Sequence, residues 1–114
     1  MEDFLELKDV SIIRINGEID LYSVQFLNQK FYEEVEHFKD RNTLIFDLKN
    51  VTRIDSSGIA FFLKAQKRLQ ESGQRLFFIN ASHRLKGIFR WTLNYDSLNF
   101  CDSVEELINL IFER

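Results

Sequence analysis

The sequence predicts an α/β fold, and three observations lead to this prediction. Strand-like and helix-like patterns alternate along the chain in the order β β α β α β α β α. Repeated β-α-β units favour parallel strand pairing with right-handed crossovers. The chain has no proline and only four glycines, which predicts long regular elements joined by short loops. Its 114 residues suit one hydrophobic core, so we expect a single domain over residues 1–114.

The first elements are two strands and a helix. Apolar residues alternate from Phe4 to Leu7 and from Val10 to Ile15, ahead of Gly17, which predicts two short strands or a hairpin. The period then changes to three or four residues, which predicts a helix with Ser23 as its N-cap. Its apolar stripe consists of Val24, Leu27, Phe31, Val35 and Phe38.

The middle of the chain predicts a buried strand followed by a second helix. Thr43 to Leu48 is a compact apolar run, typical of a strand covered on both faces. Residues 50–54 are expected to form a connecting loop to a helix that begins near Asp55 and ends before Gly73 at its C′ position. The predicted buried stripe of this helix is Ile59, Phe62, Leu63, Gln66 and Leu69.

The last third repeats the pattern of strand and helix. Arg75 to Asn80 reads as a strand, and a third helix carrying Leu85, Ile88 and Phe89 follows with Ser82 as its cap. A short strand is predicted around Leu98 to Cys101. Ser103 to Glu106 matches a capping box that begins a fourth helix, with the stripe Val104, Leu107, Ile108 and Ile111. On the flank of the third helix, Trp91 could anchor an interface, but we expect it to cover the edge of the core.

Composition excludes several classes of protein. A single cysteine, Cys101, and two histidines provide neither an internal disulfide nor a metal-site spacing. A net charge of −3 with mixed signs argues against a nucleic-acid groove. The longest apolar run, Ile59 to Leu63, is far shorter than the roughly 20 residues that span a bilayer. We therefore expect a soluble, intracellular and cytoplasmic protein with no cofactor and no membrane or nucleic-acid partner; the sequence does not predict its oligomeric state.

The candidate site is the tetrapeptide Asp55-Ser56-Ser57-Gly58, which places a carboxylate and two hydroxyls at a predicted helix start. Asp and Ser are both favoured N-caps, so capping alone explains these residue types. A functional hydroxyl is the second interpretation. The tetrapeptide by itself leaves both open.

A longer segment favours function. The run from Asp47 to Ile59 resembles the signature of the STAS domain family, named for sulfate transporters and anti-sigma factor antagonists: a strand ending in Asp-Leu, then Asp-Ser-Ser-Gly and an apolar helix. Gly17-Glu18-Ile19-Asp20 resembles the segment that leads into the family's first helix. The resemblance implies a small mixed β-sheet of about five strands with about four helices packed largely on one side.

In the anti-sigma factor antagonist branch, the resemblance maps the phosphorylated serine onto Ser56. It implies that the dephosphorylated protein binds an anti-sigma factor serine kinase and so releases a sigma factor, and that a serine phosphatase resets the cycle. The partner-binding residues would be Asp20, Asp55, Ser56, Ser57 and Gly58. No catalytic residue and no metal is implied. The alternative is an unphosphorylated STAS interaction module, such as a subunit of a phospholipid transport complex.

Two other readings carry less weight. A catalytic triad of Asp55, Ser56 and His83 lacks the Gly-x-Ser-x-Gly elbow, and the scattered glycines form no phosphate-binding loop. Arg53 could pair with a phosphate, although an exposed loop arginine is more typically only solvated.

Overall fold

The structure is a computed structural model that describes residues 10–38, 42–92 and 98–112. Within them the strands are β1 (Val10–Ile19), β2 (Thr43–Ile54), β3 (Arg75–Ile79) and β4 (Phe100–Cys101). The helices are α1 (Leu21–Glu36), α2 (Ser56–Glu71), α3 (His83–Thr92) and α4 (Val104–Phe112). The strands lie in the order β1-β2-β3-β4 and all pairs are parallel. The predicted α/β class is confirmed; the strand expected over Phe4 to Leu7 lies outside the described residues.

The core is built on both faces of the sheet. Alternate residues of β2 point to opposite sides, so Leu44, Phe46 and Leu48 join the cluster under α1, α2 and α3. Ile45 joins a smaller cluster with Phe77, Ile79, Cys101 and Leu107 of α4. Three helices therefore cover one face and the fourth covers the other, which explains why the predicted central strand is buried from Thr43 to Leu48.

Phenylalanine rings fill the larger cluster. The Phe46 and Phe62 ring centroids lie 5.2 Å apart at 77°, and Phe62 meets Phe78 at 5.4 Å and Phe89 at 5.5 Å, also edge to face. Such contacts contribute about 0.5–1.5 kcal/mol each beyond their buried area. This network fixes α2 and α3 over β2 and β3.

Residues 50–54 form part of β2, so the prediction of a loop there is wrong. The strand continues because β1 supplies a partner along this length, with Asn16 opposite Asn50 and Ile19 opposite Ile54. The Asn50 amide also donates to the Asn16 side chain at 2.9 Å. Two register shifts accommodate extra residues of β2, and Gly17, at φ +86, lies at one of them in a conformation that favours glycine.

The start of α1 and the exposure of two side chains also differ from expectation. The N-cap of α1 is Asp20 rather than Ser23, because the Asp20 carboxylate reaches the free N–H groups of Tyr22 and Ser23. In α2, Phe61 is buried and Leu63 is 43% exposed, so the buried face is rotated from the predicted stripe. Trp91 is 89% exposed and does not cover the core, which corrects that prediction.

Several helix boundaries agree with the sequence. The Ser82 hydroxyl accepts the Leu85 N–H at 3.0 Å, and Gly73 follows α2 at φ +72, as expected for a C′ glycine. The Ser103 hydroxyl accepts the Glu106 N–H at 3.1 Å, while the Glu106 carboxylate accepts the N–H of Asp102 instead of Ser103. Among the described residues, no helix combines the length and apolar character needed to cross a bilayer.

Candidate functional site

The candidate site lies where β1 and β2 end and α1 and α2 begin. Because the strands are parallel and adjacent, their carboxyl ends meet at one edge of the sheet, which we call the carboxyl edge. The backbone N–H of Asp55 donates to the carbonyl oxygen of Ile19 at 3.1 Å. This bond ties the segment before α2 to the segment before α1, and so brings the predicted site residues Asp20 and Asp55 to the same edge.

Asp55 is the N-cap of α2. Its Oδ1 accepts the backbone N–H of Ser57 at 2.8 Å and of Gly58 at 3.3 Å. These are two of the N–H groups that a helix start leaves unpaired. The capping interpretation of the tetrapeptide is therefore correct for Asp55.

The two serines are left free of this capping role. Ser56 is the first residue of α2 and is exposed, and its hydroxyl makes no hydrogen bond to any residue that the structure describes. Ser57 is half-buried. A hydroxyl in the position of Ser56 is accessible to a partner, and it is not needed to hold the helix start.

Gly58 is buried because α2 begins close against both strands. A Cβ built on Gly58 would lie 2.6 Å from Ile19 Cγ2 and 2.7 Å from Ile54 Cγ1, closer than real Cβ atoms approach. The glycine thus sets the position of Ser56 relative to the carboxyl edge. Its predicted contact with a partner stays a prediction.

Asp20 organises the start of α1 in the same way, through a reciprocal cap. Its Oδ1 accepts the N–H of Tyr22 at 3.0 Å and of Ser23 at 2.9 Å, and Ser23 Oγ accepts the N–H of Asp20. The Ser23 N–H, then the Tyr22 N–H and the Ser23 hydroxyl, outweigh the opposing effect of burial and hold the pKa of Asp20 below 3.8. The start of α1 therefore presents an ionised carboxylate at neutral pH.

A buried carboxylate lies in the middle of the sheet. The sequence indicated Asp47 only as part of the family signature and not as a site residue. Asp47 Oδ1 accepts from the Asn80 amide and the Lys49 N–H, both at 3.1 Å, and Oδ2 accepts Arg14 Nε at 3.1 Å. These bonds join β1, β2 and the end of β3. The sequence signal for this buried site was a charged residue within an apolar strand, because a buried Asp requires hydrogen-bond or charge partners.

Exposed apolar side chains on α1 were also missed. Leu21 is 62% exposed, Tyr22 76% and Phe26 73%, all in the first turns after Asp20. They fall outside the stripe of α1 that faces the core. Clustered apolar residues beside a polar edge are typical of protein interaction sites. The sequence signal for this cluster was that these apolar residues lie outside the stripe of α1 that faces the core.

Other candidate residues are not joined to this site. Among the described residues, no hydrogen bond or ion pair joins His83, which begins α3, to Asp55 or Ser56, so the triad gains no support. Arg53 is exposed, as expected, but it belongs to β2 rather than to a loop. In the described parts of the chain, no group of three His, Cys, Asp or Glu side chains could hold a metal ion.

Comparison with known proteins defines the class. The STAS domain family model matches residues 3–107, so the chain belongs to the STAS domain family. It is 35% identical over 77 residues to the anti-sigma-B factor antagonist of Bacillus subtilis, with 68% of each chain covered.

Solved structures agree on the fold. The anti-sigma factor antagonist SpoIIAA in its unphosphorylated form superposes with a TM-score of 0.73 at 21% identity, over 90% of this chain and 89% of that one. The Bacillus cell fate determinant SpoIIAA in the phosphorylated form gives 0.67 at 21% identity, over 89% and 90%.

Proposed function

We propose that this protein is an anti-sigma factor antagonist that works by partner switching, with Ser56 as the phosphorylated residue. The observation that carries the proposal is the exposed, uncommitted hydroxyl of Ser56 on a helix whose cap is supplied by Asp55. The name of the Bacillus subtilis relative supports the antagonist role. SpoIIAA has been solved in both an unphosphorylated and a phosphorylated form, which supports a switch that is controlled by phosphorylation.

The position of Ser56 suits a reversible modification. A phosphate at a helix start meets the partial positive charge of the helix dipole, so the helix tolerates it. Asp55 already satisfies the N–H groups of Ser57 and Gly58, so the Ser56 hydroxyl can be esterified without loss of a cap. Phosphorylation should therefore change the surface and preserve the fold.

The carboxyl edge supplies the partner surface. Unmodified, it combines the exposed apolar side chains of Leu21, Tyr22 and Phe26 with the carboxylates of Asp20 and Asp55. A phosphoserine adds about −1.5 to −2 charges at pH 7 beside these carboxylates. An anti-sigma factor kinase that docks on the unmodified edge would then be repelled, and a phosphatase that removes the phosphate would restore binding.

Phosphorylation with the cognate kinase and Mg-ATP tests the proposal. One phosphate should be gained, and peptide mass spectrometry should locate it on Ser56. The matched variants are Ser56→Ala, which should gain none, and Ser57→Ala, which should be phosphorylated as fast as the unmodified sequence. Phosphate on Ser57, or phosphate retained in Ser56→Ala, would reject Ser56 as the acceptor and favour an unphosphorylated interaction module.

A further inference from the structure

A pocket of about 120 Å³ lies between the extended end of β2 and the start of α3. It exists because β2 runs beyond the last residue paired with β3, so α3 packs beside a stretch of β2 that has no strand on that side. Its apolar lining includes Ile54 and Leu85, and its polar lining consists of Thr52, Arg53, Ser82 and Arg84.

The charge of this pocket is opposite to that of the chain. The protein carries a net charge of −3, yet the pocket is lined by two arginines and by no acidic residue. Arg53 and Arg84 form no ion pair with any residue that the structure describes, whereas Arg14, Lys30 and Lys86 do. Two exposed arginines thus line one cavity that no acidic residue lines.

We propose that this pocket binds the phosphate group of a phosphomonoester. Guanidinium groups match phosphate oxygens in a planar, bidentate geometry, and two of them balance the −1.5 to −2 charges of a monoester better than the single charge of a carboxylate. The Ser82 oxygen accepts the Leu85 N–H, so its own O–H can donate to a phosphate oxygen. A volume of about 120 Å³ leaves room for a phosphate group.

Two sources could supply this phosphate. One is a separate small molecule. The other is a phosphate on Ser56 of the same chain, which follows Arg53 by three residues, so their Cα atoms lie at most about 11 Å apart. Only the second source depends on the proposed function, because it requires phosphorylation of Ser56. The phosphate-binding pocket itself does not depend on it.

Titration of the unphosphorylated full chain with inorganic phosphate tests the site, with sodium chloride holding the ionic strength constant. Two-dimensional ¹H–¹⁵N spectra should show saturable shifts at the amides of Arg53, Ser82 and Arg84 and at both arginine Nε–H groups. We expect a Kd on the order of a millimolar, raised about tenfold or more in Arg53→Gln and in Arg84→Gln. Arg68→Gln, a matched change of an exposed arginine in the last turn of α2, should leave the Kd unchanged.

Shifts that do not saturate, or the same Kd in the Arg53→Gln/Arg84→Gln double variant, would overturn the proposal. The titration needs no kinase, so its failure leaves the proposed function untouched. Repeating it on protein carrying phosphoserine at position 56 distinguishes the two sources. If the phosphoserine protein no longer binds inorganic phosphate and both arginine Nε–H signals are already shifted before the titration, the pocket holds the Ser56 phosphate. If the Kd for inorganic phosphate is unchanged, the ligand is a separate molecule. Either result presupposes and supports the site.

Discussion

At the scale of single residues, Gly58 shows how packing constrains the site. Gly58→Ala would place a methyl group against Ile19 and Ile54, whose branched side chains have little freedom to move. Overpacking costs typically about 1–3 kcal/mol, against a gain of about 1 kcal/mol from helix propensity, so the net loss should be up to about 2 kcal/mol. Urea unfolding of Gly58→Ala measures this loss of unfolding free energy. Gly87→Ala in α3, where a Cβ meets nothing within 4 Å, is the control and should stabilise the protein; a loss there as large as at Gly58 would contradict the explanation.

Asp47 should make stability depend on pH. Burial, the largest influence, opposes its ionisation, but hydrogen bonds from Asn80, Lys49 N–H and Arg14, with the Arg14 charge, together hold its pKa below 3.8. A lowered folded-state pKa gives stability that is present above the unfolded-state pKa and is lost as the pH falls through the folded-state pKa.

Asp47→Asn isolates this effect, because the amide cannot ionise and its NH₂ cannot accept from Arg14. The variant should lose about 2 kcal/mol near neutral pH, in line with the loss of hydrogen bonds to a charged group. The difference in unfolding free energy between the natural sequence and Asp47→Asn should be constant from pH 7 to about 5 and shrink below about 4. A difference that stays constant down to pH 2 would show that folding does not lower the pKa of Asp47.

At the scale of elements, the cap of α2 and its phosphorylation site should be separable. Asp55→Ala removes the acceptor of two backbone N–H groups and should cost about 1 kcal/mol. Ser56→Ala removes an exposed hydroxyl without a described partner and should change stability by less than about 0.5 kcal/mol. Thermal melts of the two variants make the comparison. An equal loss in both would mean that Ser56 is a structural cap.

The order of elements follows from the sequence because apolar period and cap chemistry are local. Ser82, Gly73 and the stripe of α3 were predictable on that basis. The continuation of β2 through residues 50–54 was not, since its partner is β1, more than thirty residues away, and polar Asn50 and charged Arg53 interrupt the apolar pattern of the strand. The same limit applies to Phe61, Leu63 and Trp91, whose exposure depends on how each helix is rotated against the sheet.

The candidate site divides in the same way. Asp55, Ser56 and their helix start could be located because the motif is contiguous. The arginine pocket and the exposed side chains of Leu21, Tyr22 and Phe26 could not, because each depends on which elements meet at the carboxyl edge.

At the scale of the whole molecule, the core and the carboxyl edge are separate, so a charge at Ser56 should alter binding without altering the fold. Ser56→Glu should keep the melting temperature and weaken binding to the kinase, because the added carboxylate joins those of Asp20 and Asp55 on the contact surface. Like charges set against a complementary interface cost several kcal/mol, so we expect a loss on the order of 10²-fold or more. Ser56→Gln is the neutral control of the same size and separates charge from bulk. Phosphoserine at position 56 should weaken kinase binding more than Ser56→Glu does, because it carries more charge. Part of this loss of affinity should disappear at high salt, which screens the charges. Calorimetric titration of the kinase with phosphorylated and unmodified protein gives the decisive comparison, in which equal affinities would reject the switch and leave the protein a constitutive binding module.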